Sequence, residues 1–480
     1  MPTSESQDSG RPTSFSRRSV GPVVIGGGGM AGLATAFELT RANVPFVLLE
    51  SSGRAGGVIV SERLDDFVLD GGPDSLLIQK PEGLALCREL GIADRLMPTS
   101  KPRLAFIQRG GQLYPLPAAS VLGIPTKLSP FLRTGLFSWR AKLRMGAEWF
   151  LPPKTDGADE SIGHFMTRRF GQEATTYLAE PLLAGIHAGD VDRLSVGALF
   201  PRFTEAEAEY GSLLRAFRRP AKTPPIPDGP FRSLPGGMSE LVNALTAALP
   251  TDSIRLHTRI ARLTALSSGF AVETASGERI EASAVVLATP AFATAAIVQE
   301  LDPTLARMAA QINYHSAGTV LMAFKRDAVA HPLRGAGFVV PAVERSGITA
   351  GSWLSSKWAG RAPEGFVLLR AFVGGARDPQ AIERSDAELV RVALGALRPL
   401  LGISGEPRFT RVYRFPRANA QHDVGHAALV AEVDHALTRH PGLFVTGSGF
   451  RGVGIPDVVA DARDTARQVA QWLDASTRLA

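Results

Sequence analysis

The first residues in the chain whose types and spacing point to chemistry are the glycines of Gly27-x-Gly29-x-x-Gly32. An apolar run, Pro22-Val23-Val24-Ile25, precedes them. Leu33, Ala36 and Phe37 follow at helical spacing. A strand, a glycine turn and a helix in that order can grip a pyrophosphate. Gly27 permits the tight turn, Gly29 lets phosphates approach the backbone, and Gly32 lets helix and strand pack closely. Gly28, Met30 and Ala31 complete the loop, and the helix N-terminus offers free N–H groups and partial positive charge. Glu50 ends a second apolar run, Val44 to Leu49, 18 residues after Gly32. It is placed to accept hydrogen bonds from ribose hydroxyls. The plain alternative is a glycine-rich turn without a ligand.

No side chain stands out as a nucleophile. There is no GxSxG, and the single cysteine, Cys87, has no motif around it. One cysteine excludes an internal disulfide and a thiolate zinc site, and it fits a reducing compartment. We expect no HxxxH or HxH pair among the nine histidines, and therefore no metal. The formal net charge of +6 serves solubility or a basic cavity for an anionic partner. Nucleic acid is not expected, because no lysine/arginine cluster is interleaved with stacking aromatics.

The elements that must position these groups read as an α/β chain of several domains. Residues 1–20, rich in Ser, Arg and Pro without an apolar stretch, read as a disordered tail and not a secretory signal. The β-α-β unit over 22–50 opens a Rossmann-type domain. The pattern predicts a helix over 81–97 and a hairpin over 105–116 turning at Gly110-Gly111. Residues 120–229 read as a helical module, broken at Pro152-Pro153 and Pro224-Pro225. Ile254, Leu256, Thr258 and Ile260 alternate, as do Phe270, Val272 and Thr274, and Ala284 to Ala288 follows a turn at Ser276-Gly277. These predict a β-meander rejoining the first domain. Residues 305–410 read as a second, mixed sheet with one amphipathic helix near 385–398. Leu443 to Thr446 reads as a strand and 456–474 as the last helix. The expected division is 21–105 with 230–304 and 411–480 for the nucleotide, 106–119 with 305–410 for the substrate, and 120–229 for the helical module. No run of 18 uncharged apolar residues exists, so a spanning helix is not expected, while peripheral membrane contact by the helical module stays open.

Glu50-Ser51-Ser52-Gly53-Arg54-Ala55-Gly56-Gly57 resembles the ExxxRxGG continuation of two-dinucleotide-binding-domain flavoproteins. That resemblance implies FAD and pairs Arg54 with its phosphate; a surface arginine is the plain alternative. Thr446-Gly447-Ser448, and Gly452 to Asp457 after it, lead into the last helix, where Pro456 suits the first turn. A helix N-terminus aimed at a flavin pyrimidine would stabilise charge gained on reduction; the alternative is a well-capped terminal helix.

With Gly72-Pro73-Asp74-Ser75, Gly185-Ile186-His187-Ala188-Gly189-Asp190 and Ser233-Leu234-Pro235-Gly236-Gly237-Met238, the chain after residue 20 resembles the oxygen-dependent porphyrinogen oxidases of haem biosynthesis. Gly123 to Lys127 and Thr134 to Ser138 look most similar to the Gram-positive-type enzymes, which act on coproporphyrinogen III; protoporphyrinogen IX is the alternative. The resemblance implies FAD contacts at Gly27 to Gly32, Glu50, Ser51, Arg54, Gly57, Val58, Gly72, Pro73, Asp74, Ser75, Ile260, Phe415, Val453, Gly454 and Ile455. It implies a substrate cavity near Val339, Trp353, Phe372 and Ile186, with Lys80 or Arg103 for propionates; for the first three, ordinary core packing is the alternative. His187 departs from the family's usual aromatic residue.

The implied reaction is hydride transfer from a bridging carbon to flavin N5, with reoxidation by molecular oxygen to hydrogen peroxide and three cycles per macrocycle. No side-chain catalyst is required. Cytoplasmic location and contact with haem-pathway enzymes go with that reading. The rivals are an amine oxidase, a carotenoid desaturase or a flavin-binding scaffold without catalysis.

Overall fold

The computed structural model describes residues 21–117, 120–121, 124–125, 128–219 and 226–479. The expected tail over 1–20, the break at Pro224-Pro225, and Gly123, Thr126 and Lys127 lie outside the described residues.

Five strands form a wholly parallel sheet in the order Ile254–Arg255, Phe46–Leu49, Val23–Gly26, Ala284–Leu287, Leu443–Val445. The central strands read as continuous apolar runs because both faces are covered. Val23 and Ile25 face a core shared with the first helix, Met30–Arg41, and the last helix, Ile455–Leu479. Val24 faces the opposite way, toward the antiparallel meander Ile260–Ala265, Phe270–Thr274, Arg279–Ala282 and the helix His426–Leu437.

The expected alternating strand from Ile254 to Ile260 is corrected here. Only Ile254–Arg255 is extended, and it joins the parallel sheet beside Phe46–Leu49. His257 adopts a positive φ of 53° and breaks the run before Ile260 opens the meander. The helix predicted over 81–97 stops at Glu89. Gly91 turns the chain at φ 70°, and a short 3-10 turn, Ala93–Arg95, follows. The helix near 385–398 runs Asp386–Leu401, started by a Ser385/Glu388 capping box and ended by Gly402 in left-handed conformation.

A second, mixed sheet has seven strands, ordered Phe409–Ala420, Tyr314–Lys325, Phe366–Gly374, Ala350–Trp353, Gly337–Val339, Ala105–Arg109, Gln112–Pro115. Its pairing register sorts side chains onto two faces, because residues opposite each other point the same way. Tyr413, Thr319, Phe372, Ala350, Val339 and Ile107 form one row. Leu369 and Trp353 belong to the other face, in a dry core with Val320, Val367 and the helix Asp386–Leu401.

Between residues 128 and 219 the chain is largely helical. Its apolar core, built on Phe165, Phe170, Leu178 and Phe203, takes in Ile107 and borders Val339. A buried ion pair, Arg169 with Glu148, lies beside it. Glu148 also accepts the Ser212 hydroxyl and the Leu213 and Leu214 N–H groups.

Candidate active site

The glycine turn fits a pyrophosphate on the backbone's own evidence. A Cβ on Gly32 would sit 1.8 Å from the Gly27 carbonyl oxygen, so helix and strand meet with no room for a side chain. A Cβ on Gly29 would meet nothing within 4 Å, so the backbone is open where a phosphate must approach. Gly29 caps the first helix without a side-chain bond, which leaves its first N–H groups to a ligand. Met30 and Ala31 open that helix and are buried.

Glu50 accepts the Gly28 N–H at 2.7 Å on one oxygen and the Ser52 N–H at 2.8 Å on the other. The Ser51 hydroxyl lies 3.4 Å from the second oxygen. Gly56 donates to the Gly28 carbonyl, and a Cβ on Gly57 would come within 3.3 Å of the Gly29 Cα. Arg54 donates to the carbonyls of Ala55, Gly57 and Ile59, so its guanidinium ties this second loop onto itself. Ile260 lies beside Gly26, where a Cβ would be 2.7 Å from its Cδ1.

Beside these loops is a cavity of about 450 Å³ lined by Arg54, Gly57, Val58, Tyr413 and Phe415, among others. Val58 is half-exposed. Its carbonyl passes so near Gly72 that a Cβ there would lie 2.0 Å away. The loop from Asp70 to Ser75, which includes Pro73, is gripped by cations. Arg370 donates to the carbonyls of Asp70 and Gly72 and to the Asp74 carboxylate. Lys357 lies 2.9 Å from both Asp74 oxygens, and Ser75 donates to one of them. Burial opposes the charge on Asp74, but Lys357 and Arg370 overcome it and hold the carboxyl well below the usual range. Arg361 pairs with Asp70 with both side chains out of solvent.

Sequence reasoning missed Arg370, Lys357 and Arg361. The signal for Arg370 was present: it interrupts the apolar strand Phe366–Gly374, where a charge needs partners.

The C-terminal loop arrives at the same place. A Cβ on Gly447 would lie 3.3 Å from Ala31 at the start of the first helix. Asp461 accepts the Thr446 hydroxyl and the Gly447 N–H. Gly452 turns at φ 60°, Val453 and Gly454 follow, and Ile455 begins the last helix.

The expected substrate residues divide. Val339 and Phe372 share the sheet face that bears Thr319 and Tyr413, and the Arg370 guanidinium stacks 4.6 Å from the Phe372 ring centroid. Trp353 does not join them, which is a correction. Period-two alternation puts it on the opposite face, packed on Phe106 and His331 and only 1% exposed. Ile186 is 65% exposed, on a short turn after the π-helix Thr175–Ala184. His187 is enclosed beside Phe200, and burial pushes its pKa down to about 4. Lys80 pairs with Asp457 at the start of the last helix. Arg103 bonds Thr99 and reaches Asp228 at 3.4 Å.

One expectation about the histidines fails on the sequence itself: His422-x-x-x-His426 is an HxxxH pair. Its Nε2 atoms face two backbone carbonyls and do not converge on a common point. Among the described residues no cluster of three or more His, Cys, Asp or Glu side chains could hold a metal.

Residues 30–470 match the family described as flavin containing amine oxidoreductase. The chain is 34% identical to the coproporphyrinogen III oxidase of Bacillus subtilis (strain 168) over 469 residues, covering 94% of this chain and 98% of that one. It is 32% identical to the coproporphyrinogen III oxidase of Propionibacterium freudenreichii subsp. freudenreichii, over 95% and 92% of the two chains. A crystal structure of a protein described as a protoporphyrinogen oxidase, from Exiguobacterium sp. 255-15, superposes with a TM-score of 0.84 at 30% identity, over 94% and 99%. Reduced UDP-galactopyranose mutase shares the fold alone, at a TM-score of 0.70 and 15% identity over 96% of both chains. The open glycine turn, Glu50 beside it and the convergent C-terminal loop thus lie together, and the chain belongs to the flavin containing amine oxidoreductase family, on the branch of the porphyrinogen oxidases, as an FAD-dependent oxidoreductase.

Proposed function

We propose that this chain oxidises coproporphyrinogen III to coproporphyrin III with molecular oxygen. The observation that carries the reading is near-full-length similarity to bacterial relatives that share that name. FAD, held by the Gly27–Gly32 turn, Glu50 and the C-terminal loop, would supply the two-electron redox chemistry, with molecular oxygen as the final acceptor.

The protein's part is to hold and orient. The backbone from Gly27 to Gly32 receives the pyrophosphate, Glu50 and Ser51 the ribose, and Arg54 a phosphate oxygen. Ile260 meets the adenine end. Gly57, Val58, Phe415 and the Gly72–Ser75 loop border the flavin, with Val453, Gly454 and Ile455 at its pyrimidine side. The N-terminus of the last helix stabilises charge gained there. Val339, Phe372 and Ile186 enclose the macrocycle and exclude water. Lys80 and Arg103 meet its propionates by exchanging their present carboxylate partners. The expected division shifts at two places, because Ala105–Arg109 and Phe409–Ala420 are strands of the seven-stranded sheet: within this reading the nucleotide domain comprises 21–104, 230–304 and 421–479, and the substrate domain 105–117 and 305–420.

The test is porphyrin fluorescence in air from coproporphyrinogen III and protoporphyrinogen IX in parallel, against enzyme-free blanks. A clearly higher rate with coproporphyrinogen is the expected result. A higher rate with protoporphyrinogen would reverse the substrate assignment; that second reading has in its support the 27% identity to the mitochondrial protoporphyrinogen oxidase of Nicotiana tabacum, below the 34% to the Bacillus subtilis relative. Neither rate above blank, with FAD bound, would leave a non-catalytic flavin scaffold.

We propose further that the protein works in the cytoplasm and touches membranes peripherally. No helix among the described residues is long and apolar enough to cross a membrane. Trp139, Leu143 and Phe150, however, are 66%, 75% and 81% exposed on adjoining turns of the helical region. Residues 101 to 147 contain lysines and arginines but no Asp or Glu, which suits an anionic surface. Co-sedimentation with anionic but not neutral vesicles, lost in a Leu143→Asp/Phe150→Asp variant, is the expected outcome.

A further inference from the structure

His422 and His426 stack with ring centroids 3.9 Å apart and planes 9° apart, and they are 3% and 6% exposed. The Nε2 atom of His422 lies 2.9 Å from the Ser448 carbonyl, and that of His426 lies 3.0 Å from the Phe450 carbonyl. A carbonyl oxygen only accepts, so in both rings Nε2 carries the proton and donates. Burial acts first on both rings and keeps them neutral, pushing His422 down to about 4.

The two acceptors sit in one loop, between the strand Leu443–Val445 and the last helix. On the loop's other side, Asp461 takes the Thr446 hydroxyl and the Gly447 N–H. Phe450 and Arg451 donate back to the Gly447 carbonyl, closing a turn. The turn has no slack, because a Cβ on Gly449 would be 2.2 Å from the Tyr314 hydroxyl oxygen. This loop sets where Val453, Gly454 and the helix start at Ile455 lie.

The histidines are themselves held from the helical region. The Ser195 N–H donates to the His422 carbonyl, and Gly425, just before His426, donates to the Asp159 carboxylate. Arg193 pairs with Asp423 between them. A leucine at either position would fill similar space without burying a polar ring. Two donors aimed into a single loop are therefore a costly arrangement for packing alone.

We propose that His422 and His426 are positioning residues. Their paired Nε2–H donors fix the Ser448–Phe450 turn, and through it the helix N-terminus that FAD meets. The proposal rests on the flavin reading above and deepens it. Neither ring touches substrate or the reacting atoms; both act through the loop.

The test uses FAD-depleted full-length protein and the variants His422→Leu, His422→Gln, His426→Leu and His426→Gln. FAD affinity is followed by quenching of flavin fluorescence, the visible bands of the bound flavin are recorded, and folding is checked by circular dichroism. Each leucine variant is expected to weaken FAD binding by about tenfold or more and to shift the bands. Each glutamine variant, whose amide places a donor near the Nε2 position, is expected to stay within about threefold of the parent. Folded leucine variants with parental affinity and bands would overturn the proposal. So would glutamine variants as impaired as leucine ones, which would make shape and not the donor the determinant. Failure of the parent protein itself to take up FAD would overturn the flavin reading together with this role.

Discussion

The two faces of the seven-stranded sheet are made by the same strands, yet they are built on opposite principles. Toward the helix Asp386–Leu401 the sheet is dry, with Val320, Val367, Leu369 and Trp353 packed together. Toward the nucleotide-binding region it carries Arg370, Thr319 and Tyr413. Arg370 and Thr319 reach across to the backbone of Asp70, Gly71 and Gly72, and Tyr413 reaches the Glu62 carboxylate. Neighbouring residues on one strand, Leu369 and Arg370, thus serve different ends. One face stabilises by excluding water. The other fixes the position of the Asp70–Gly72 loop, and geometric demand there outweighs the cost of burying charge.

Substitutions on the two faces should separate stability from cofactor binding. The largest effect is expected for Arg370→Met, which strips the Asp70 and Gly72 carbonyls and one partner of Asp74. Breaking such a buried set costs about 3–5 kcal/mol. FAD affinity should fall by about tenfold or more, an effect that calorimetry of the folded protein would read directly. Trp353→Ala comes next. It opens a cavity and should cost about 3 kcal/mol or more in thermal unfolding. Its FAD affinity, measured well below the melting point, should match the parent. An affinity loss there would dissolve the distinction between the faces.

Acid gives a smaller effect with a definite sign. The Asp74 carboxyl is held below its ordinary value of 3.8 in the folded protein. Its contribution is therefore present above 3.8 and is lost as pH falls below that value toward the folded one. Below that point stability should drop by roughly 1.4 kcal/mol per pH unit more steeply in the parent than in Asp74→Asn. Parallel slopes in the two proteins would show that the ion cluster does not couple to folding. Lys80→Ala should give the smallest change. Its pair with Asp457 is about half-exposed, so melting should move by under about 1 kcal/mol. A several-fold rise in KM for coproporphyrinogen without that melting change would extend the positioning role to a surface cation.

Much of the nucleotide half could be read in the sequence, because backbone geometry there admits few residue types. Gly27, Gly29 and Gly32 stand where a Cβ would clash or block, and the central parallel strands Val23–Gly26 and Ala284–Leu287 are buried enough to be apolar at every position. The other half was less legible for identifiable reasons. Alternation around Ile254 looked like one strand, but His257 turns through a positive φ that its residue type does not announce. Trp353 stood at a substrate position that the family resemblance implied, yet which face it takes depends on a register that only pairing reveals. Arg370, Lys357 and Arg361 lie nearly 300 residues from the loop they hold, beyond the reach of local pattern. The His422/His426 spacing was present and overlooked.

The order of elements in the parallel sheet bears on how the protein is made. The strand Leu443–Val445 closes one edge, and the helix Ile455–Leu479 packs against the first helix, Met30–Arg41. During translation, the N-terminal glycine turn emerges more than 400 residues before the segments that complete its pocket. Until then Ala284–Leu287 is an unpaired edge and the first helix shows an apolar flank, the kind of surface that chaperones protect. A ribosome that stalls late would release a nearly full-length chain without a finished cofactor site. The yellow of bound flavin would then report that synthesis had run through the last helix, and colourless chains would be the ones open to proteolysis.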